Sequence, residues 1–199
     1  MFRLQEPLAD REQQLLANLR QWMADQSALC VAYSGGVDST LVAAMAYEAQ
    51  GDAALAVTGV SPALAPHLLR EARDQASWIG IPHRECATTE LNDPDYSSNP
   101  VDRCFACKRE LHQHLQPIAA AAGDALVIDG VNLDDLGDHR PGIEAARQAG
   151  VRSPLVNCRL TNPRSVPCLG RLVFPGGTNR RSPAWPPVSP MAKASAPSG

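Results

Sequence analysis

The chain has 199 residues, of which 44% are hydrophobic and 20% charged, with a formal net charge of −3 and a pI of about 5.9. That is length for one domain with a buried core, and the acidic balance excludes the general attraction to polyanions that a nucleic-acid partner asks for. The opening "MFRLQEPLADREQQ" has no apolar leader segment, and no apolar run nears the ~20 residues of a membrane span, so a cytoplasmic chain with no membrane partner is expected.

Residues 10–26 place Leu15, Leu16, Leu19, Trp22 and Met23 on one face, which predicts an amphipathic helix. "ALCVAYS" is a short apolar run ending before Gly35-Gly36, the pattern of a buried parallel strand. A helix is expected from about Ser39 to Gly51, and "AALAVTGV" reads as a second strand. Pro66 near the start and Gly80 past the end bound a helix over "APHLLREARDQASWIG". "IPHRECAT" is a third strand, and 90–103 a polar loop rich in turn residues. A helix over "CFACKRELHQHLQPIAAAAG", a strand over "DALVIDG", a helix over "RPGIEAARQAG" and a fifth strand over "VRSPL" complete the pattern. Strand–helix alternation predicts an α/β fold, a doubly wound parallel sheet with ligands beyond the carboxyl ends of its strands.

The chemistry starts at "YSGGVDST", residues 33–40, where a strand gives way to a helix. Gly35 and Gly36 permit a tight turn that aims backbone N–H groups inward at an anion. Ser34, Ser39 and Thr40 add hydroxyls, and the helix adds its positive end. There is no Walker lysine and no G-x-G-x-x-G spacing. An ordinary glycine-rich turn with a serine cap is the plainer reading, but the string is specific. It resembles the PP-loop of the adenine nucleotide alpha-hydrolase-like (Rossmann-like) enzymes, which split ATP between the α and β phosphates. The resemblance implies that Ser34, Gly35, Gly36, Val37, Asp38, Ser39 and Thr40 hold the pyrophosphate portion together with Mg2+, with Asp38 as a metal-side carboxylate; the alternative for Asp38 is capping the helix. Thr58 and Ser61, at the end of the second strand, fall where that class grips adenine and ribose.

The stretch 128–155, "IDGVNLDDLGDHRPGIEAARQAGVRSPL", is similar to a block of the ATP-dependent sacrificial sulfur transferases, the LarE family. The resemblance covers residues from about 10 to 161. It implies adenylation of a carboxylate of pyridinium-3,5-biscarboxylate mononucleotide, followed by sulfur insertion, in synthesis of the nickel-pincer nucleotide cofactor. ATP and this carboxylated pyridinium nucleotide are the expected ligands. Adenylation converts a poor electrophile into one with a good leaving group, and Lys108, Arg103 and Arg140 are the cations available where phosphate and carboxylate meet. Asp134, Asp135 and Asp138 beyond a strand end are candidates for Mg2+, as against an acidic solvated loop. Gly130 and Asn132 belong to the same nucleotide-side group, Gly130 for close backbone approach. An amide-forming synthetase and a tRNA thiolase share the loop; the first lacks any sign of ammonia chemistry, and the second asks for a basic surface that residues 1–161, at −8, do not offer. A non-catalytic nucleotide-binding remnant is the alternative from a different class.

"RCFACK", residues 103–108, sets Cys104 and Cys107 two residues apart. Six cysteines in a cytosolic chain are expected as reduced thiols or metal ligands. No second Cys/His pair completes a zinc site, and the context is not thioredoxin-like. Within the resembled family, some members sacrifice one cysteine sulfur and others hold a 4Fe-4S cluster on three cysteines, two of them a C-x-x-C at this place. Cys104 and Cys107 fit two of those positions; the plainer reading is a pair of idle thiols at a helix start. His112 and His114 are expected on the surface, and Cys30 and Cys86 as packed thiols.

From Asn162 to Gly199 there are five basic residues, no acidic ones, and eight of the seventeen prolines. A disordered tail without functional residues is expected there, with Cys158, Cys168 and Trp185 silent. The family pattern continues instead with a block like "GLP-x-WDKPA-x-AC-x-x-SRFPYG". Back-translated and read from the third base, 176–181 permits Trp-Asp-Lys-Pro-Ala, and 183–192 permits Cys-Met-Ala-Ser-Arg-Phe-Pro-Tyr-Gly, in one shared frame. Leu172–Pro175 likewise permits Gly-Leu-Pro. The expectation is a PP-loop domain over 1–161 and a frameshifted segment over 162–199. Such a chain is truncated and impaired, without the third cysteine and without the C-terminal part through which the family assembles into homo-oligomers. Sequencing the DNA around codons 158–165 checks this: a shifted frame encoding the family block is expected, and an uninterrupted gene with no such block in any frame contradicts it.

Overall fold

The computed structural model describes residues 3–4, 8–62, 64–88, 103–137, 141–162, 165, 168 and 172–173, with the backbone alone at 3–4, 103–110, 137, 141–142, 144–145 and 172–173. Four strands, β2 (Leu29–Ala32), β3 (Ala54–Val60), β4 (His83–Ala87) and β5 (Leu126–Ile128), form one parallel sheet in the order β4-β3-β2-β5. The register sets Cys30 beside Leu55 and Val127, and Gly59 beside Cys86.

Alternation along the strands sends successive side chains to opposite faces. Leu29, Val31, Ala54, Ala56 and Ile128 join one core with α1 (Asp10–Ala24), α2 (Val37–Gln50), α3 (Pro66–Ile79) and the short α6 (Pro154–Asn157). Cys30, Leu55, Val57 and Val127 join the other with α4 (Arg103–Ala121) and α5 (Pro141–Gln148). Helices therefore cover both faces, as the alternation of elements predicts. α2 is apolar nearly all round, with Leu41 through Ala46 fully buried, so it lies between the sheet and the flanking α1 and α3. α3 starts with Pro66 in its first turn and stops at Gly80 (φ 87°), whose N–H donates to Ala76 O at 2.9 Å.

Four expectations need correcting. "VRSPL" is no full strand: Arg152 makes one parallel bridge to Ile128, and Pro154, lacking an N–H, opens α6 instead. α2 begins at Val37, two residues before the expected start, with Gly36 as its N-cap. His112 is buried, 3% exposed, because it falls on the inner side of α4; His114 is exposed as expected. In the stretch expected to lack structure, Ser165 and Cys168 are buried, Cys168 within the core of the α1/α2 face. A strand β6 (Leu172–Val173) pairs antiparallel with β1 (Arg3–Leu4). Among the described residues no helix is long and apolar enough to cross a membrane.

Leu115 is fully buried where α4 meets the sheet. Leu115→Ala is expected to cost about 2–5 kcal/mol through lost transfer energy and a residual cavity. Urea unfolding checks this: a lower midpoint at unchanged slope is expected, and an unchanged midpoint contradicts the packing described.

Candidate functional site

The carboxyl ends of β2 and β5 meet the start of α2. Tyr33 extends β2 by donating its N–H to Val57 O at 2.8 Å, and the chain then turns through Ser34–Gly36 into the helix. Gly35 sits at φ +76°, and a Cβ there would lie 2.9 Å from Ala72 Cα of α3, so conformation and space both demand glycine. The Ser34 hydroxyl accepts the Gly36 N–H at 3.3 Å and lies 3.1 Å from Ser39 Oγ, which donates to Gly36 O at 3.0 Å. Thr40 Oγ1 lies 2.8 Å from both Gly36 O and Gln75 Oε1. One hydroxyl proton serves one acceptor, so the consistent arrangement turns the Gln75 amide to donate to Thr40.

No side chain caps α2, so the N–H groups of its first turn stay available to an anion. Asp38 does not cap it either, which removes the alternative role. Its Oδ2 accepts from Asn132 Nδ2 at 3.2 Å and Asn162 Nδ2 at 2.7 Å. Its Oδ1 is buried and has no hydrogen-bond partner among the described residues. Asn132 in turn closes the loop after β5: its Oδ1 accepts the N–H groups of Asp134 (2.8 Å) and Asp135 (3.3 Å), and its own N–H donates to Asp135 Oδ2 at 3.1 Å. Gly130 fits against the helix start, where a Cβ would lie 2.7 Å from Ser39 N; its bareness lets two backbones meet.

Thr58, buried on β3, lies 2.8 Å through Oγ1 from His83 Nε2 of β4, and the Tyr33 ring meets the His83 ring edge-on with centroids 5.7 Å apart. Burial holds His83 below its ordinary pKa; the Glu85 charge opposes this and Arg73 adds to it. Glu85 itself is lowered, first through its hydrogen bonds from Arg73 at 2.6 and 2.8 Å. Burial pushes the Tyr33 phenol up to about 12, with Thr40 acting in the other direction. Ser61 is half-buried beyond β3, and its carbonyl accepts the Leu64 N–H at 3.0 Å.

The structure thus brings together Ser34 through Thr40, Gly130, Asn132 and Asp135. Cys104, Cys107 and Lys108 lie in the first turns of α4, and their side chains are outside the described residues. Positions 104, 107 and 111 follow one another at three- and four-residue spacing, one row along the helix, and Leu111 of that row sits against Gly59 at the end of β3. Asp138 and Arg140 lie outside the described residues. Among the described residues no three His, Cys, Asp or Glu side chains are grouped to hold a metal.

Three contributors escape sequence reasoning. Gln75 had a signal, a polar residue on the buried row Ala72, Gln75, Ala76, Ile79 of α3. His83 and Asn162 had none, since a histidine opening a strand and an asparagine among prolines fit many roles.

An open parallel sheet with this loop at the start of α2 is the α/β fold of the adenine nucleotide alpha-hydrolase-like, PP-loop kind. Its solved likenesses include NMN synthetase from Francisella tularensis (TM-score 0.64, 19% identity, 78% of this chain and 68% of that one). Another is the NH3-dependent NAD synthetase from Campylobacter jejuni (TM-score 0.55, 18% identity, 63% and 58%). The chain is, more particularly, a relative of LarE, the pyridinium-3,5-bisthiocarboxylic acid mononucleotide synthase of Lactiplantibacillus plantarum, at 34% identity over 149 residues, 74% of this chain and 52% of that protein. An uncharacterized protein of Synechocystis sp. is 53% identical over 146 residues, 73% of this chain and 54% of its own length. The chain spans about half the length of these relatives. No family model matches it.

The histidine gives a pH prediction. A folded pKa below the ordinary 6.5 means that the unfolded chain binds the proton more tightly. His83 therefore contributes stability that is present above about pH 6.5 and is lost as the pH falls through the window down to its folded value. Urea midpoints at pH 7.5 and 5.5 are expected to differ more in the native chain than in His83→Asn; equal differences contradict a buried neutral His83.

Proposed function

We propose that this chain is an ATP-dependent adenylating enzyme of the sulfur-transferase kind. It would join a carboxylate of pyridinium-3,5-biscarboxylic acid mononucleotide to AMP, in a route to the nickel-pincer nucleotide. The observation that carries this reading is the uncapped start of α2, with its chain of serine hydroxyls and the buried, unpartnered Oδ1 of Asp38, on a chain 34% identical to LarE.

In the forward step a substrate carboxylate oxygen attacks the α-phosphorus, the bond from that phosphorus to the α–β bridging oxygen breaks, and pyrophosphate leaves with the charge. Ser34, Gly35, Gly36, Val37, Ser39 and Thr40 bind the pyrophosphate portion through the N–H groups at the helix start, with the Ser39 and Thr40 hydroxyls exchanging their bonds to Gly36 O for phosphate oxygens. An orphaned buried carboxylate oxygen at the phosphate loop suits Mg2+, so Asp38 would hold it with phosphate oxygens, and Asp135 and Asp138 would stand nearby. Mg2+ bound there supplies charge neutralisation as pyrophosphate departs. Thr58 and Ser61 border the nucleoside end; Lys108 and Arg140 are assigned to the charges of substrate and phosphate. A sulfur nucleophile then attacks the acyl carbon and AMP leaves.

Cys104 and Cys107 are proposed as the thiols of this second step, as sulfur carriers or as two of three cluster ligands. Of the described cysteines, Cys30 is buried with its thiol pushed up to about 11, and Cys158 and Cys168 belong to the core of the opposite face, so none of these three completes a cluster. Cys86 lies half-buried on β4. The shifted-frame reading of 162–199 assigns this chain adenylation with poor sulfur turnover.

Exchange of labelled pyrophosphate into ATP by the purified chain tests the reading. Exchange is expected with the pyridinium biscarboxylate nucleotide, together with a detectable acyl-adenylate mass, and Asp38→Ala is expected to reduce it about a hundredfold or more. Exchange with deamido-NAD, with amide formation from ammonia, would place the chain among the amide-forming synthetases instead. Repeated sulfur turnovers would refute the impaired second step.

A further inference from the structure

The Asp38 carboxylate is attached through a torsion whose wells are broad and roughly two-fold, so nothing in the side chain itself decides which oxygen faces which way. Two amides decide it. Asn132, from the loop after β5, and Asn162, which is 124 residues away in sequence, both donate to Oδ2, at 3.2 and 2.7 Å. Oδ1 is left buried without a partner among the described residues. Of the two donors Asn162 is nearer, and it is itself held: its N–H donates to Asp134 Oδ2 at 3.0 Å, and two residues earlier Leu160 O accepts the Leu133 N–H at 3.0 Å. Leu160 is fully buried, so the strap from α6 is anchored in the core before it reaches the site.

We propose that Asn162 is a positioning residue, a neutral clamp that turns Asp38 so that Oδ1, with its charge intact, is presented to the cation of a bound nucleotide. Neutrality matters as much as reach. A lysine or arginine at this place would neutralise the carboxylate, and a second carboxylate 2.7 Å away would repel it. An amide orients the group and leaves its charge to the metal. The inference rests on the proposed function for the identity of the metal's companion, and on the geometry alone for the clamp.

The test is calorimetric ATP binding to the full chain with and without Mg2+, for the native protein, Asn162→Ala and Asn162→Gln. Losing one hydrogen bond to a charged group is expected to raise the Mg2+ concentration for half-maximal effect about five- to tenfold in Asn162→Ala. ATP affinity without metal should stay unchanged, and Asn162→Gln should recover part of the loss. An equal loss with and without Mg2+ indicates a structural role only and overturns the proposal, as does an unchanged Mg2+ dependence. If the native chain binds no ATP, the proposed function fails by itself. The clamp is then read from Mn2+ alone by paramagnetic resonance, where weaker binding in Asn162→Ala supports it. Identical binding, or none in the native chain, overturns it.

Discussion

The start of α2 is held within contact distance of two other backbones, and the rest of the site follows from that constraint. Gly35 touches Ala72 of α3, and Gly130, after β5, touches Ser39. A methyl group at either place would meet main-chain atoms at 2.9 Å or less, which cannot yield as a flexible side chain can. The helix end is therefore gripped from both sides, and its first turn has no side-chain cap.

What grips the helix is the apolar interior. α2 buries Leu41 through Ala46 completely, so it cannot rotate or slide without exposing a core row. Thr40 and Gln75 add one buried polar link to α3. Losing Thr40 would strand the buried Gln75 amide at a cost of about 1–3 kcal/mol, so the pair fixes one arrangement of the two helices. The proposed anion cradle needs this support, because donors that must reorganise as charge develops give little. The site is polar at its tip and rests on one of the least polar helices in the molecule.

Much of this was legible in the residues. Short continuous apolar runs separated by helix-patterned segments dictate a doubly wound sheet, and S-G-G-x-D-S-T marks the strand–helix junction where the proposed anion loop lies. Single-residue conformational choices were not legible. Whether "VRSPL" pairs along its length or turns into a helix depends on Pro154 and on how much sheet edge β5 offers, which local pattern does not contain. His112 looked like a surface residue because alternation with His114 says nothing about which of the two faces the sheet. Asn162 was hidden differently: its role exists only once a segment 124 residues away has been folded against it.

The central claim is that the loop from Ser34 to Thr40 cradles the β and γ phosphates of ATP while Asp38 Oδ1 meets their metal. Crystals of the chain grown with Mg2+ and a non-hydrolysable ATP analogue test it most directly. The account predicts phosphate oxygens within hydrogen-bond reach of the first-turn N–H groups of α2, and the metal on Oδ1 with Oδ2 still on its two amides. A nucleotide bound away from this loop, or a metal that leaves Oδ1 untouched, would contradict it.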